Sequence, residues 1–552
     1  MKRCPECRRD YYDDSLLYCL DDGSALLEGP ASGSEPATAI LHETAPPSEA
    51  ATRAQIHTTE QAAVLSKNAF DKRLLLAPLA LAIIVLGGFF GYRYFNAGST
   101  QIESIAVMPF VNESGIADVE YLSDGMTETL ISSLSQLPNL NVKGRSSVFR
   151  YKGKDVDTMT LGKELGVQAV LYGRIIQRGD QLSLSLELLD AVTENVIWSG
   201  KYDRKQADVV SLQSEIARDV SNKLKSKLSG ADVAQVEETH TANPEAYQLY
   251  LKGRFQWNRR TGESLKQAAE FFDQAIAKDP NYALAYSGLA ESYVLFPNYS
   301  VAAPLDCMPK AKAAALKAIE LDDSLAEAHV ALGIYLSAFS WNQPAAEKEF
   351  RRAIELNAAY ATAHQQFANY CLLSMGLFDE ALEVARRAEE LDPFSPVISA
   401  DVAWPLYFAR RYDEAIAQLD ESLKLDPNFA VTLRYRGTIL DTLGRPNEAI
   451  AEYRKAPGLD RDPYLRAMLA RSLAKSGRRA EAERIVDEIV SESAARYVPA
   501  NAVALAFAAL GEKDKAFAWL EKTLPTARHA LRNIRSIQYG TNYAMIRVLP
   551  RW

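Results

Sequence analysis

Ala388-Glu389-Glu390-Leu391-Asp392-Pro393 is answered 34 residues later by Ser422-Leu423-Lys424-Leu425-Asp426-Pro427. Working back from this pair, the same helix end recurs as Ala353-Ile354-Glu355-Leu356-Asn357-Ala358, as Ala318-Ile319-Glu320-Leu321-Asp322-Asp323 and as Ala275-Ile276-Ala277-Lys278-Asp279-Pro280; going forward, Leu459-Asp460 ends a further copy. Starts at 275, 318, 353, 388 and 422 give intervals of 43, 35, 35 and 34 residues. A period of about 34 residues predicts a stack of two-helix hairpins, and the longest interval predicts an insertion around Asn298 to Leu305. Gly333, Ala368, Ala403 and Gly437 recur where the two helices of a hairpin touch. Gly376, Gly444 and Gly477 stand where the chain must reverse. Acids open the second helices at Asp379-Glu380, Asp413-Glu414 and Glu448, as the helix dipole favours, and Pro393 and Pro427 separate hairpins. Degenerate pairs follow at about 463–492 and 498–524. The array spans 243–525, with 526–552 read as a C-terminal cap.

This pattern resembles the tetratricopeptide repeat. The resemblance implies a right-handed all-α superhelix whose concave groove takes a protein or peptide. By repeat position Lys252, Asn369, Trp404, Tyr407 and Arg434 are the candidate partner contacts, with Glu291 and Gln365 beside them; packing against neighbouring repeats is the competing reading for Trp404 and Tyr407. The Lys/Asn series that clamps chaperone carboxylates is missing. His329 and His364 share one repeat position and are expected to pack rather than bind metal. Cys307 and Cys371, two repeats apart, are expected to be free thiols.

Residues 102–230 have a different rhythm. Ser104-Ile105-Ala106-Val107-Met108-Pro109-Phe110 reads as a buried strand, 121–137 as an amphipathic helix and Leu140-Asn141-Val142 as a short strand. A short helix ends at Gly166. Three consecutive strands follow at 169–176, 182–189 and 195–202, then a helix from about 209 to 228. With Ile105-Ala106-Val107-Met108-Pro109-Phe110, Tyr121-Leu122-Ser123-Asp124-Gly125 and Leu165-Gly166-Val167, this α+β segment resembles the TolB-amino-terminal or FlgO-like domain, which implies no catalytic role. Gly125 is read as part of a Ser-Asp-Gly turn. Asp124, Glu128 and Arg145 are read as a helix cap, a solvated face and a strand-end charge in preference to one polar site.

Ahead of that domain, Leu74 to Tyr92 is nineteen residues without a charge. As a helix it spans about 28 Å, close to the hydrocarbon core of a bilayer, so 74–95 is expected to be a single transmembrane helix. Lys67, Lys72 and Arg73 precede it and Arg93 alone follows closely. That bias places the N-terminus in the cytoplasm and the C-terminal domains outside, at a bacterial inner membrane. Residues 28–73, rich in Ala, Ser, Thr, Pro and Glu, read as a disordered linker. Residues 1–27 contain Cys4-Pro5-Glu6-Cys7 and Tyr18-Cys19-Leu20-Asp21-Asp22-Gly23, which resemble the small zinc ribbons that open many bacterial membrane proteins. Cys4, Cys7 and Cys19, with Asp22 where a fourth cysteine would stand, are the candidate ligands for a structural Zn²⁺.

The whole is a multidomain chain of 552 residues: ribbon, membrane helix, α+β domain and repeat superhelix. Its net charge of −9 argues against a nucleic-acid partner. No nucleophile, base or open metal position is grouped, so no enzyme is expected. Two readings stand. One is a membrane-tethered scaffold that binds protein or peptide partners in an extracytoplasmic groove. The other is a single-pass signal transducer whose cytoplasmic ribbon contacts a transcription or signalling partner.

Overall fold

A computed structural model describes residues 2–3, 10–11, 27–28, 102–115, 119–137, 140–224 and 241–522. The chain divides into two units, 1–96 and 97–552. In the first, three two-residue strands, β1 (Lys2–Arg3), β2 (Asp10–Tyr11) and β3 (Leu27–Glu28), pair antiparallel in the order β2-β1-β3. Cys4, Cys7, Cys19 and Asp22, the linker, the expected transmembrane helix at 74–95 and the cap at 526–552 lie outside the described residues. Among the described residues no helix is long and apolar enough to cross a membrane.

The second unit opens with a mixed sheet ordered β6-β4-β7-β8-β9. Its strands are β4 (Ser104–Val107), β6 (Asn141–Val142), β7 (Ala169–Arg178), β8 (Gln181–Asp190) and β9 (Val196–Lys205); the short β5 (Val111–Asn112) also pairs with β7. β6, β4 and β7 are parallel, and β7-β8-β9 form an antiparallel meander. Helix α1 (Glu120–Ser135) makes the crossover from β4 to β6. The crossover to β7 carries α2 (Arg145–Phe149), which the sequence pattern missed, and α3 (Thr158–Leu165). Helix α4 (Val209–Leu224) packs on β9. The alternation of β8 is literal: Leu182, Leu184, Leu186 and Leu188 are all buried. Gly166 ends α3 in the left-handed region, at φ 63°.

Eight helix pairs follow among the described residues. They are α5 (Pro244–Asn258) with α6 (Gly262–Lys278), α7 (Ala283–Leu295) with α8 (Pro304–Leu321), α9 (Ala326–Ile334) with α10 (Gln343–Leu356), and α11 (Ala361–Gln366) with α12 (Phe378–Leu391). Then come α13 (Pro396–Phe408) with α14 (Tyr412–Leu425), α15 (Ala430–Thr442) with α16 (Pro446–Lys455), α17 (Pro463–Lys475) with α18 (Arg479–Glu492), and α19 (Ala500–Ala509) with α20 (Lys513–Glu521). Glycine sits where an aromatic ring of the second helix needs room. A Cβ on Gly437 would lie 2.3 Å from Tyr453, and Phe272 fills the space left by both Gly253 and Gly288.

Two details of the period have physical causes. The 43-residue interval holds the loop between α7 and α8. The two 35-residue intervals each carry one residue more than 34, and each contains a π-helical stretch, Tyr335–Phe339 after α9 and Phe367–Leu372 after α11. A π turn absorbs an extra residue without ending the helix. The hairpin reversals share a second requirement. Gly376, Gly444, Gly477 and Gly511 have positive φ there, and Arg260, Trp341 and Arg410 hold the corresponding turns at φ 52°, 56° and 62°. A side chain in that region costs about 1 kcal/mol or more. Replacing the exposed Arg410 by glycine is therefore expected to stabilise the array by about 1 kcal/mol, seen as a higher urea midpoint at unchanged slope.

Candidate functional site

The first helices of the hairpins form the inner face of the repeat array, and part of the α+β domain sits against that face. A cavity of about 2390 Å³ lies between them. One wall is α1, the segment 142–146 and α4; the other runs along α5, α7, α11, α13, α15 and α17. Three contacts fix the domain in place. Gly125 leaves room for Leu251 of α5, whose Cδ2 lies 2.8 Å from where a Cβ would stand. Gly125 is thus an interior residue of α1 and not a turn residue; its missing side chain serves a helix crossing, and the rest of α1 satisfies its backbone. Ser147 donates to Asp392 Oδ1 at 2.7 Å, and the Arg150 guanidinium lies 4.5 Å from the Phe394 ring centre. Both repeat partners follow α12, at the Leu-Asp-Pro end that defines the period.

The third contact is ionic and forms the first polar cluster of the cavity. Arg254 of α5 donates from Nη2 and Nε to Glu128 Oε1 of α1, at 2.6 and 3.0 Å, and from Nη1 to Glu291 Oε2 of α7, at 2.7 Å. Asn258 donates to Glu128 Oε2 at 2.6 Å, and Arg145 Nε stands 3.3 Å from the same oxygen. Glu128 and Arg145 therefore do meet, contrary to their reading as separate surface charges; Asp124 pairs instead with Lys152. Burial alone would raise the Glu128 carboxyl, but Arg254 and Arg145 outweigh it and hold it below its ordinary value. Glu291 has only one donor from Arg254, and burial pushes it up to about 7. Beside them the Trp257 ring faces Arg254 at 4.4 Å and Arg260 at 3.5 Å. Among the described residues neither Trp257 Nε1 nor the Ser287 hydroxyl, also on the wall, has a hydrogen-bond partner.

The second cluster lies further along the groove. Gln365 donates to Asp401 Oδ2 at 2.7 Å and the Tyr435 hydroxyl to Asp401 Oδ1 at 3.1 Å. Trp404 stacks on Tyr435 with ring centres 4.1 Å apart, and the Arg434 guanidinium lies 5.4 Å from the Tyr435 ring centre. Asn369 also lines the wall, and its Oδ1 has no partner among the described residues. So three of the five residues picked by repeat position, Asn369, Trp404 and Arg434, come together on the cavity. The other two do not. Lys252 points to the α+β domain, with its ammonium 5.0 Å from the Tyr121 ring centre. Tyr407 packs on Trp404, with ring centres 5.1 Å apart, and on Phe408 and Tyr412 without lining the cavity, and its hydroxyl meets Thr442 at 3.3 Å.

The histidines stay apart. His329 Nδ1 is 2.7 Å from Glu349 and its Nε2 is 3.2 Å from the Asp323 carbonyl, while His364 Nε2 is 3.1 Å from the Ala358 carbonyl. Among the described residues no group of three or more His, Cys, Asp or Glu is placed to hold a metal. Cys307 and Cys371 are free and buried.

Known proteins share parts of this chain. Residues 100–229 match the family model for the second domain of HilA/YgeH-like transcriptional regulators, and residues 436–463 match a tetratricopeptide repeat. "Putative adenylate cyclase 3" of Rhizobium meliloti is 32% identical over 235 residues, which is 42% of this chain and 40% of that protein. Transcriptional regulator HilA of Salmonella typhimurium is 23% identical over 470 residues, 81% of this chain and 73% of that one. A tetratricopeptide repeat protein from Parabacteroides merdae is 17% identical in the solved structure, covering 48% of this chain and 97% of that one, with a TM-score of 0.34.

Two outcomes are expected. Arg254→Met leaves Glu291 buried without its guanidinium and Glu128 with Arg145 alone, and is expected to cost about 3–5 kcal/mol, with faster hydrogen exchange in α1 and α5. Burial pushes the Asp401 carboxyl up to about 6. The folded state therefore keeps that proton over a range where the unfolded chain has lost it. Stability from this group is fully present below about pH 4 and falls as pH rises to about 6. Asp401→Asn is expected to remove that fall, seen as a flatter urea midpoint between pH 4 and 6.

Proposed function

We propose that this chain is a membrane-tethered scaffold that receives a protein or peptide partner in the cavity between its α+β domain and its repeats. The observation that carries the reading is the second cluster. A stacked Trp404–Tyr435 pair lines the cavity next to Arg434, with Asn369 on the same wall. Large aromatics and arginine are the side chains that dominate binding energy in protein interfaces. The net charge of −9 supports a protein partner over a nucleic acid.

The uncharged stretch at 74–92 and the basic residues before it support a single span of a bacterial inner membrane, with the N-terminus in the cytoplasm and the cavity outside. Under that topology Cys4, Cys7 and Cys19 face a reducing compartment, which keeps thiols available as ligands. Three thiolates with the Asp22 carboxylate are a chemically competent set for structural Zn²⁺.

A second reading has an observation of its own. The likeness to HilA runs over 81% of this chain, which supports a regulator whose outer half senses a partner and whose ribbon side passes the signal on. The match to the cyclase spans 40% of that protein, and we assign no catalytic activity from it.

Capture with the full chain tests the scaffold. A protein retained by the wild type is expected to be lost from the Trp404→Ala, Arg434→Ala variant and kept by Tyr407→Ala, measured by quantitative mass spectrometry of the eluates. Equal retention by all three would remove the cavity from the function. Metal analysis of the same preparation is expected to find stoichiometric zinc, lost in Cys7→Ser.

A further inference from the structure

The end of the sheet where the chain enters the α+β domain is unlike the rest of its surface. Gln168 organises that end. Its backbone N–H donates to the Ser104 carbonyl at 3.2 Å, its side-chain oxygen accepts from the Glu103 N–H at 2.7 Å, and its carbonyl accepts from Ala191 at 2.9 Å. Residues 103–104, the start of β7 and the 190–196 turn between β8 and β9 therefore share one edge. The start of α3 joins them, since the Met159 N–H donates to Glu194 at 3.3 Å.

Large apolar side chains stand exposed at this edge: Val192 at 70%, Val196 at 59% and Met159 at 52%. Leaving several such side chains in water beside one another is unfavourable and marks a contact surface. Three carboxylates nearby accept backbone N–H groups. Asp157 accepts the Thr160 N–H, Asp190 accepts those of Val192 and Thr193, and Glu194 accepts that of Met159. The edge therefore offers apolar side chains on a turn whose acids, Asp190 and Glu194, accept backbone N–H groups.

The occupant is indicated by where the chain comes from. Nine residues separate Tyr92, the last of the uncharged stretch, from Ile102, a reach of about 30 Å at full extension. If the stretch spans a bilayer, this edge is tethered within that reach of the lipid surface. We propose that the 190–196 turn docks on the membrane, with Val192, Val196 and Met159 entering the boundary between headgroups and acyl chains. The proposal rests on the membrane-tether reading. Docking would fix how the cavity is presented outside the membrane, and because the contact is apolar it does not need anionic lipid.

The test uses the full chain reconstituted with phosphatidylcholine vesicles, with photoreactive benzoylphenylalanine placed at Val192 or, as a control, at Leu443 in the sixth hairpin. The chain is expected to float with the vesicles and, on irradiation, to give a phospholipid adduct at 192 and none at 443. Flotation without a lipid adduct at 192 would overturn the docking and leave the tether standing. Cross-linking of 192 to a second copy of the chain would assign the edge to self-association and also overturn it. Failure to float would remove the tether and the docking together.

Discussion

A guanidinium taken out of water must be matched by charge at close range, and Arg254 is matched from two directions at once. Glu128 comes from the α+β domain and Glu291 from the second hairpin. The desolvation cost of the three groups is met only when all are in place, so the pair of carboxylates defines where the domain sits on the array. The placement of α1 against α5, the meeting of Ser147 with Asp392 and the closed side of the cavity all depend on that arrangement. Ion pairs elsewhere are of a different kind. Arg411–Glu414, Arg445–Glu448 and Arg478–Glu481 recur at equivalent turns of successive hairpins, are open to solvent, and add little to stability.

What was legible in the sequence was local. Helix ends, reversals and the alternation of β8 depend on residues within one turn or one strand, and their patterns survive without knowledge of the fold. The 35-residue intervals were visible as numbers, but a π turn leaves no distinct side-chain signature, so its place in α9 and α11 was not. The left-handed turns at Arg260, Trp341 and Arg410 were hidden because glycine, the residue that signals them elsewhere, is absent there. The site was legible only in part. Repeat position identifies the inner face of a helix, and that sufficed for Asn369, Trp404 and Arg434. It failed for Tyr407, which lies at the end of α13 where the next hairpin draws it aside, and for Lys252, because another domain already covers its stretch of the groove. Glu128 was misread as solvated since its partner lies 126 positions away, and no periodicity connects an α+β helix to a repeat.

The cavity combines two surfaces that would be unremarkable separately. An open repeat groove offers rings and polar groups to any extended chain. With α1 and α4 closing one side, part of that face is committed to an internal partner and the remainder becomes a chamber with defined walls. Trp257, held between two guanidinium groups, and Ser287 lie on the first two hairpins, while the Asp401 cluster lies on later ones. A partner entering the groove therefore meets a polar, ion-paired region at one end and an aromatic region further along.

The distance in sequence between bonded groups also sets an order of events during synthesis. Ser147 leaves the ribosome 245 residues before Asp392, an interval of about 10–50 s at ordinary rates of elongation. For the first part of that interval, until Leu251 and Arg254 are made, the sheet domain exists without its seat: Glu128 has Arg145 alone, Gly125 faces no leucine, and the face of α1 that meets α5 is uncovered. The first domain thus waits, partly exposed, for hairpins not yet translated, and its biogenesis belongs to whatever machinery shelters nascent chains.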